Sequence, residues 1–310
     1  MNYYNDLREQ LYLSEADYVS YIRTLPFRYK RYYIPKRNSA EKRLIAQPAR
    51  TVKTIQKYLV ENLSTKLSVH RCATAYQVGT GIKLNASRHQ KNPYILKMDF
   101  SNFFESITPE ILIERLKEAQ INLTEEELFL FEHVFFWRKS RKGSLRLSVG
   151  APSSPFISNT VMFSFDKKIE ENCQRQGVVY TRYADDMAFS TNKKDTLKDV
   201  EKLVYKTLKE CFGRAIKVNR KKTVFTSKKF NRHITGVTIT NENELSIGRG
   251  KKRLLHSKVH HFSKGILTDE EALQLKGELG FAKHIEPLFI EKLELKYGNE
   301  IIDKLKKFNL

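Results

Sequence analysis

Val178-Val179-Tyr180-Thr181-Arg182-Tyr183-Ala184-Asp185-Asp186-Met187-Ala188-Phe189-Ser190-Thr191 is the stretch that decides how this chain is read. Two short runs rich in apolar and aromatic residues flank a pair of adjacent carboxylates, the pattern of a hairpin with Asp185 and Asp186 at its tip. Asp is a turn former, so the pair taken alone also reads as a solvated loop tip. The flanks argue otherwise. They carry the tip toward a core, where two like charges cost several kcal/mol unless cations neutralise them. Upstream, Tyr94-Ile95-Leu96-Lys97-Met98-Asp99-Phe100 reads as a separate strand ending at a third acid. Three carboxylates converging on one point suit two Mg²⁺ ions, hard cations that take oxygen ligands. Two such ions, about 4 Å apart, activate an attacking hydroxyl and stabilise a leaving pyrophosphate in an in-line displacement.

These acids stand out because the chain is basic. Its 310 residues hold 56 Lys and Arg against 35 Asp and Glu, a formal charge of +21. Residues 1–100 carry 18 basic and 7 acidic side chains (+11), residues 101–132 carry 2 and 8 (−6), and residues 201–264 carry 17 and 4 (+13). Two positive regions around a neutral-to-acidic middle read as walls that hold a phosphate backbone about a central element. A solubilising surface is the plainer reading of any single charge run. Hydrophobic residues at 40% with 11% aromatics build a core and exclude disorder as the dominant state. No stretch approaches the roughly 18 apolar residues of a membrane span. Met1 to Asp6 lacks a basic-then-apolar signal, and Cys72, Cys173 and Cys211 lack C-x-x-C spacing. The expectation is a cytoplasmic protein with reduced thiols and neither a disulfide frame nor a zinc site.

The remaining chain shows no repeat and no long linker, and its length is roughly two domains' worth. Residues 6–25 read as a helix, followed by an extended stretch punctuated by Pro26, Pro35 and Pro48. In residues 51–69, Val52, Ile55, Tyr58, Leu59, Leu63 and Leu67 stand at helical spacing. Thr108-Pro109-Glu110 and Thr124 before Glu125-Glu126-Glu127 are helix starts, and they explain the acidic middle as helix-dipole chemistry. Pro155 opens a helix running to Gly177, residues 195–211 are helical, and residues 215–239 hold two more strands. From Arg249 the chain is mostly helix. This order gives an α+β core with a helical appendage, not a doubly wound sheet.

Tyr183-Ala184-Asp185-Asp186 resembles the Y-x-D-D box of reverse transcriptases. Leu96 to Phe104 is similar to the first catalytic box of that family, and Gly150-Ala151-Pro152-Ser153-Ser154-Pro155 to its second. Arg43-Leu44-Ile45-Ala46-Gln47-Pro48 resembles the R-x-I-x-x-P motif of bacterial members, and Asn219-Arg220-Lys221-Lys222-Thr223 the N-x-x-K-T segment. Asn85-Ala86-Ser87-Arg88-His89 and Ile234-Thr235-Gly236 resemble the N-A-x-x-H and V-T-G motifs of retron reverse transcriptases in particular. The likeness covers roughly residues 20–260.

It implies a right-hand polymerase with an RRM-like palm sheet. Its parts would be an N-terminal helical segment (1–24), fingers (25–95 and 133–150), palm (96–132 and 151–235) and a helical, RNA-binding thumb (236–310). It also implies an RNA-directed DNA polymerase, a nucleotidyltransferase that uses deoxynucleoside triphosphates and Mg²⁺. Retron kinship further implies a structured non-coding RNA as template, a guanosine 2′-OH as primer, branched RNA–DNA (msDNA) as product, and an effector protein in anti-phage defence. The chain has no room for the maturase or endonuclease domain common in group II intron enzymes. Another bacterial reverse transcriptase, of the intron or diversity-generating kind, is one alternative, and a catalytically silent RNA-binding scaffold is a second.

By the same resemblance Asp99, Asp185 and Asp186 hold the metal, with Asp99 and Asp185 as principal ligands. Phe104 would gate the sugar of the incoming nucleotide, or else serve as a core aromatic. Gly150 and Ala151 would let backbone approach the nucleotide or template, with Val149 replacing the Gln that many relatives carry. Arg43 and Lys42 bind the triphosphate or contact the template, and Lys222 lies near the leaving pyrophosphate or caps a solvated strand. Asn85, His89, Ile234, Thr235, Gly236, Arg249, Lys251, Lys252 and Arg253 are the expected RNA contacts. His256 and His260 lack the Glu of a zinc motif and read as part of a basic nucleic-acid-facing helix.

Overall fold

A computed structural model describes residues 2–36 and 40–309 of the chain; Met1, residues 37–39 and Leu310 lie outside it. Two helices, α1 (Tyr3–Gln10) and α2 (Glu15–Thr24), precede a hairpin of β1 (Tyr29–Pro35) and β2 (Lys42–Pro48), then α3 (Arg50–Ser64) and α4 (Ile82–Ser87). Next come β3 (Tyr94–Ser101), α5 (Phe103–Ser106), α6 (Pro109–Glu118), α7 (Glu125–Phe135), α8 (Ser154–Val161) and α9 (Phe163–Arg175). The hairpin of β4 (Val179–Tyr183) and β5 (Asp186–Thr191) leads to α10 (Thr196–Phe212), β6 (Lys217–Val218) and β7 (Val224–Ser227). A small sheet of β8 (Arg232–Ile234), β9 (Val237–Ile239) and β10 (Leu245–Ser246) is followed by α11 (Arg249–Ser263), α12 (Asp269–Ile285), α13 (Pro287–Tyr297) and α14 (Asn299–Lys307).

The central sheet runs β4-β5-β3, with β6 and β7 both pairing the far edge of β3, and every pairing is antiparallel. Side chains alternate across it. Leu96, Met98 and Phe100 of β3 join Met187 and Phe189 of β5 in the larger core, with Phe165 and Ile169 of α9. Ile95 and Ala188 face the other way and join the core of the C-terminal lobe, built on Ile234, Val237, Leu255, Leu279 and Leu293. Lys97 and Asp99 share parity with Ile95, so the sheet presents its polar groups toward the junction of the two cores. A one-residue slip would reverse every one of these assignments.

Several expected elements are divided. The helix over 6–25 is two, because Ser14 accepts from the Asp17 N–H and caps α2 after Tyr12 turns left-handed at φ 53°. The helix opened at Pro155 breaks at Met162. There the Ser158 and Thr160 hydroxyls bond the carbonyls three residues back and compete with the helical ladder. Likewise α3 stops at Ser64, where the Ser64 and Thr65 hydroxyls bond Glu61 and Asn62 carbonyls. Residues 215–239 hold four short strands, not two. Capping at Thr124 is reciprocal with Glu127, as the sequence indicates. All three cysteines are free. Among the described residues no helix is long and apolar enough to cross a membrane.

Candidate active site

Ala184 and Asp185 form the two-residue loop between β4 and β5. Primed hairpin turns need positive φ in the loop, and Ala184 supplies it at 55° without the freedom of a glycine. Two hydrogen bonds fix the tip: Phe100 N–H donates to the Asp185 carbonyl at 3.1 Å, and Arg182 Nη1 to the Ala184 carbonyl at 2.9 Å. The register then sets Asp186 directly opposite Asp99. Asp99 is buried, its carbonyl accepts from Asn219 N–H at 2.7 Å, and its Oδ2 accepts from Lys222 Nζ at 2.9 Å.

The charge here is undercompensated. Protein packed around Asp186 strips water from it, Asp185 and Asp99 repel it, and its carboxyl is pushed up to about 7. Asp185 is raised as well, by burial and then by the Asp99 charge. Burial pulls on Lys222, but its hydrogen bond to Asp99 and the nearby acids leave its ammonium raised. Among the described residues, no group of three or more His, Cys, Asp or Glu side chains is already disposed around a metal position. Asp99 and Asp186 instead face each other across the β3–β5 register, with Lys222 Nζ on Asp99 Oδ2. The donor set still fits a hard divalent cation: it is all carboxylate oxygen, and its excess charge is held in check by one lysine and raised proton affinity.

Beside the tip lies a cleft of about 440 Å³ lined by Arg43, Lys53, Lys57, Tyr76, Phe104, Gly150 and Ala151. Arg43 belongs to its wall and Lys42 does not, because neighbouring residues of a strand point to opposite faces. Phe104 does both expected things, packing on Phe103 with ring centroids 5.6 Å apart while forming part of the cleft wall. Gly150 is required by protein, not ligand: at φ 122°, a Cβ there would lie 3.0 Å from Ile45 Cγ2 and 3.3 Å from the Ala46 carbonyl oxygen.

Residues 34–239 match the family described as "Reverse transcriptase (RNA-dependent DNA polymerase)". The Retron Ec83 reverse transcriptase of Escherichia coli is 44% identical over 307 residues, 98% of each chain. The chain belongs to the retron-type reverse transcriptases. A second such enzyme of Escherichia coli, the Retron Ec73 reverse transcriptase, is 34% identical over 84% of each chain. Telomerase from Candida tropicalis, solved in complex with a TWJ fragment of telomeric RNA, superposes with a TM-score of 0.50 at 15% identity. That match covers 91% of this chain and 55% of the telomerase chain, and the likeness is one of fold, the right-hand polymerase. The activity is RNA-directed DNA polymerisation.

In this reverse transcriptase the two retron-like motifs meet each other. His89 is buried and bonds Ser190 Oγ at 2.8 Å and Thr181 Oγ1 at 2.7 Å, and burial pushes its ring down to about 3, so it is neutral. Thr181 donates to Asn85 Oδ1 at 2.5 Å, while Asn85 Nδ2 donates to Thr235 Oγ1 at 3.3 Å. Asn85, His89 and Ile234 are therefore internal, and their polar atoms are spent on holding the β8–β9 hairpin against the central sheet. Thr235 and Gly236, both at positive φ, form the hairpin turn. They line a second cleft of about 260 Å³ with Asn85, Lys97, Asp99, Asp186, Lys222 and His233. Arg249 and Arg253 are exposed on α11, whereas Lys252 pairs with Glu286 and Lys251 Nζ lies 4.6 Å from the centre of the Phe281 ring.

Four further residues of the reverse transcriptase's clefts stand outside the expected set. Lys53 and Lys57 stand four apart on α3, opposite its apolar stripe, a spacing that was visible. Lys97 was visible too, sharing parity with Asp99; its Nζ is 3.0 Å from His233 Nε2. Tyr76, half exposed at φ 60°, has no sequence signal.

Proposed function

We propose that this reverse transcriptase copies a structured non-coding RNA from a guanosine 2′-OH within that RNA, leaving branched msDNA. The polymerase site in this reading is supported by one observation: Asp99 stands opposite Asp186, with Asp185 at the adjoining tip, between two clefts. The retron chemistry is supported by the 44% identity to the Retron Ec83 reverse transcriptase. Asp99, Asp185 and Asp186 are the groups that hold divalent metal, Mg²⁺ in this proposal. When bound, such ions activate the attacking hydroxyl and stabilise the leaving pyrophosphate. Lys222 neutralises Asp99 and lies where it can reach the departing phosphates. Arg43, whose fork suits phosphate, takes the triphosphate of the incoming nucleotide in the larger cleft. Phe104 closes that cleft against a ribose 2′-OH, and the backbone of Gly150 and Ala151 forms its floor.

The fingers are residues 25–95 and 133–150, the palm 96–132 and 151–235, and the thumb 236–310, after an N-terminal helical segment (1–24). Template RNA lies against the turn at Thr235 and Gly236 and the basic start of α11, with Arg249, Lys251, Lys252 and Arg253. An effector protein accompanies the enzyme in anti-phage defence. The test is to express the native locus and sequence the nucleic acid that copurifies with the protein. Short DNA joined to RNA through a 2′–5′ linkage at a guanosine is expected, and it is lost in the Asp185→Ala/Asp186→Ala double variant. DNA with an ordinary 3′–5′ start, or no DNA, contradicts the priming proposal.

A further inference from the structure

Arg182 stands two residues before the tip and is fully buried, as is its partner Asp166 on α9. Its fork is nearly saturated. Nε donates to Asp166 Oδ1 at 2.9 Å and Nη2 to Asp166 Oδ2 at 2.6 Å; Nη1 donates to Asn159 Oδ1 at 3.0 Å and to the Ala184 carbonyl at 2.9 Å. Tyr180 donates to the same Asp166 carboxylate at 2.8 Å, so the brace is itself held.

The same residue fastens a second segment. Its backbone N–H donates to the Cys72 carbonyl at 2.9 Å, and its carbonyl accepts from Thr74 N–H at 2.8 Å and Thr74 Oγ1 at 3.2 Å. Asn159 spans both attachments, accepting from Arg182 while its Nδ2 donates to the Ala75 carbonyl at 2.8 Å. The next residue along that strap is Tyr76, whose ring belongs to the larger cleft and whose φ of 60° is a strained conformation for a tyrosine. Arg182 thus touches the carbonyl that precedes Asp185 through its guanidinium, and reaches the strap that presents Tyr76 through its own backbone and through Asn159.

Two buried charges are a weak source of stability, since apolar residues of similar volume often serve as well or better. Held at this point, they do something apolar residues cannot: a guanidinium aims several donors in fixed directions. We propose that Arg182, braced by Asp166, is a positioning residue that sets the Asp185 carboxylate and the Tyr76 ring in one common frame, and so governs the rate of nucleotide addition. The inference rests on the reading of Asp185 as a catalytic acid. Ammonium at position 182 keeps the charge but cannot reach Asp166, Asn159 and Ala184 together.

The experiment measures single-nucleotide addition on an RNA template, RNA affinity and melting temperature for four variants. Arg182→Met/Asp166→Leu removes both charges together. It is expected to bind RNA as the parent does and to melt somewhat lower, because the Tyr180 hydroxyl, Asn159 Oδ1 and the Ala184 carbonyl lose buried partners. Its kcat is expected to be lower by about 100-fold, the scale of an ångström of misplacement. Arg182→Lys lowers kcat in the same direction if the double variant does not fold. Asn159→Ala, which removes the side-chain link to the strap at Ala75 while leaving Arg182 its bonds to Asp166 and Ala184, raises the KM for the nucleotide more than it lowers kcat. A folded double variant or Arg182→Lys variant with parental kcat overturns the proposal, as does Asn159→Ala with an unchanged KM. Asp185→Asn separates the layers. Activity surviving there sinks the underlying site reading, whereas its loss beside normal Arg182 variants sinks this inference alone.

Discussion

Replacing Asp186 by Asn should make the protein more stable at alkaline pH while removing one of the three proposed metal-holding carboxylates. The Asp186 carboxyl rises from 3.8 to about 7 in the folded chain, through burial and repulsion from Asp185 and Asp99. Between those values the unfolded chain has lost the proton that the folded chain keeps, so folding stability falls as pH climbs through this window. The whole contribution is present below pH 3.8 and gone above about 7. Roughly three pH units at 1.36 kcal/mol each set a ceiling of about 4 kcal/mol. Asp186 has access to solvent, and screening reduces this to about 1–2 kcal/mol. Asn carries no charge, so the variant escapes the loss. Denaturant unfolding without divalent ions should show Asp186→Asn ahead of the parent by that amount at pH 8 and level with it near pH 4. Added Mg²⁺ should stabilise the parent preferentially and narrow the gap. A variant no more stable at pH 8, or equally favoured at both pH values, would refute the electrostatic account of the tip.

Other expectations follow from single contacts. Phe104→Ala opens the larger cleft, and ribonucleotide incorporation, read as the ratio of kcat/KM for rNTP and dNTP, should rise at least 10-fold. In Lys53→Ala/Lys57→Ala, two cations leave the wall of that cleft; the nucleotide KM should increase several-fold while RNA affinity by filter binding changes little. His89→Ala leaves the hydroxyls of Ser190 and Thr181 without their shared partner in a buried space, which should cost about 2–4 kcal/mol in urea unfolding. RNA affinity of the folded His89→Ala fraction should stay near the parent's, since that ring is internal.

The three acids were legible because chemistry and periodicity agree there: a D-D pair between apolar runs, and a strand ending in Asp99, meet in register. Lys222 and Arg43 were legible by type and place. Lys42 and Arg43 could have been separated by strand parity alone. The N-A-x-x-H and I-T-G motifs were visible as patterns, but not as each other's partners. Nothing local says that Asn85 on α4 meets Thr235, 150 residues away. Gly150 reads as a backbone approach in either case; only the packed structure shows that what approaches is β2. Tyr76 and Arg182 escaped because backbone strain and a buried ion pair are tertiary facts. A lone Arg in an apolar strand looks the same whether it faces solvent or Asp166.

The central claim is that Asp99, Asp185 and Asp186 form one chemical site within an RNA-holding frame. Primer extension on an RNA template by Asp99→Asn, with RNA affinity measured in parallel, tests it most directly. The account predicts no detectable extension at saturating nucleotide and an RNA affinity equal to the parent's. Extension at the parental rate would contradict it.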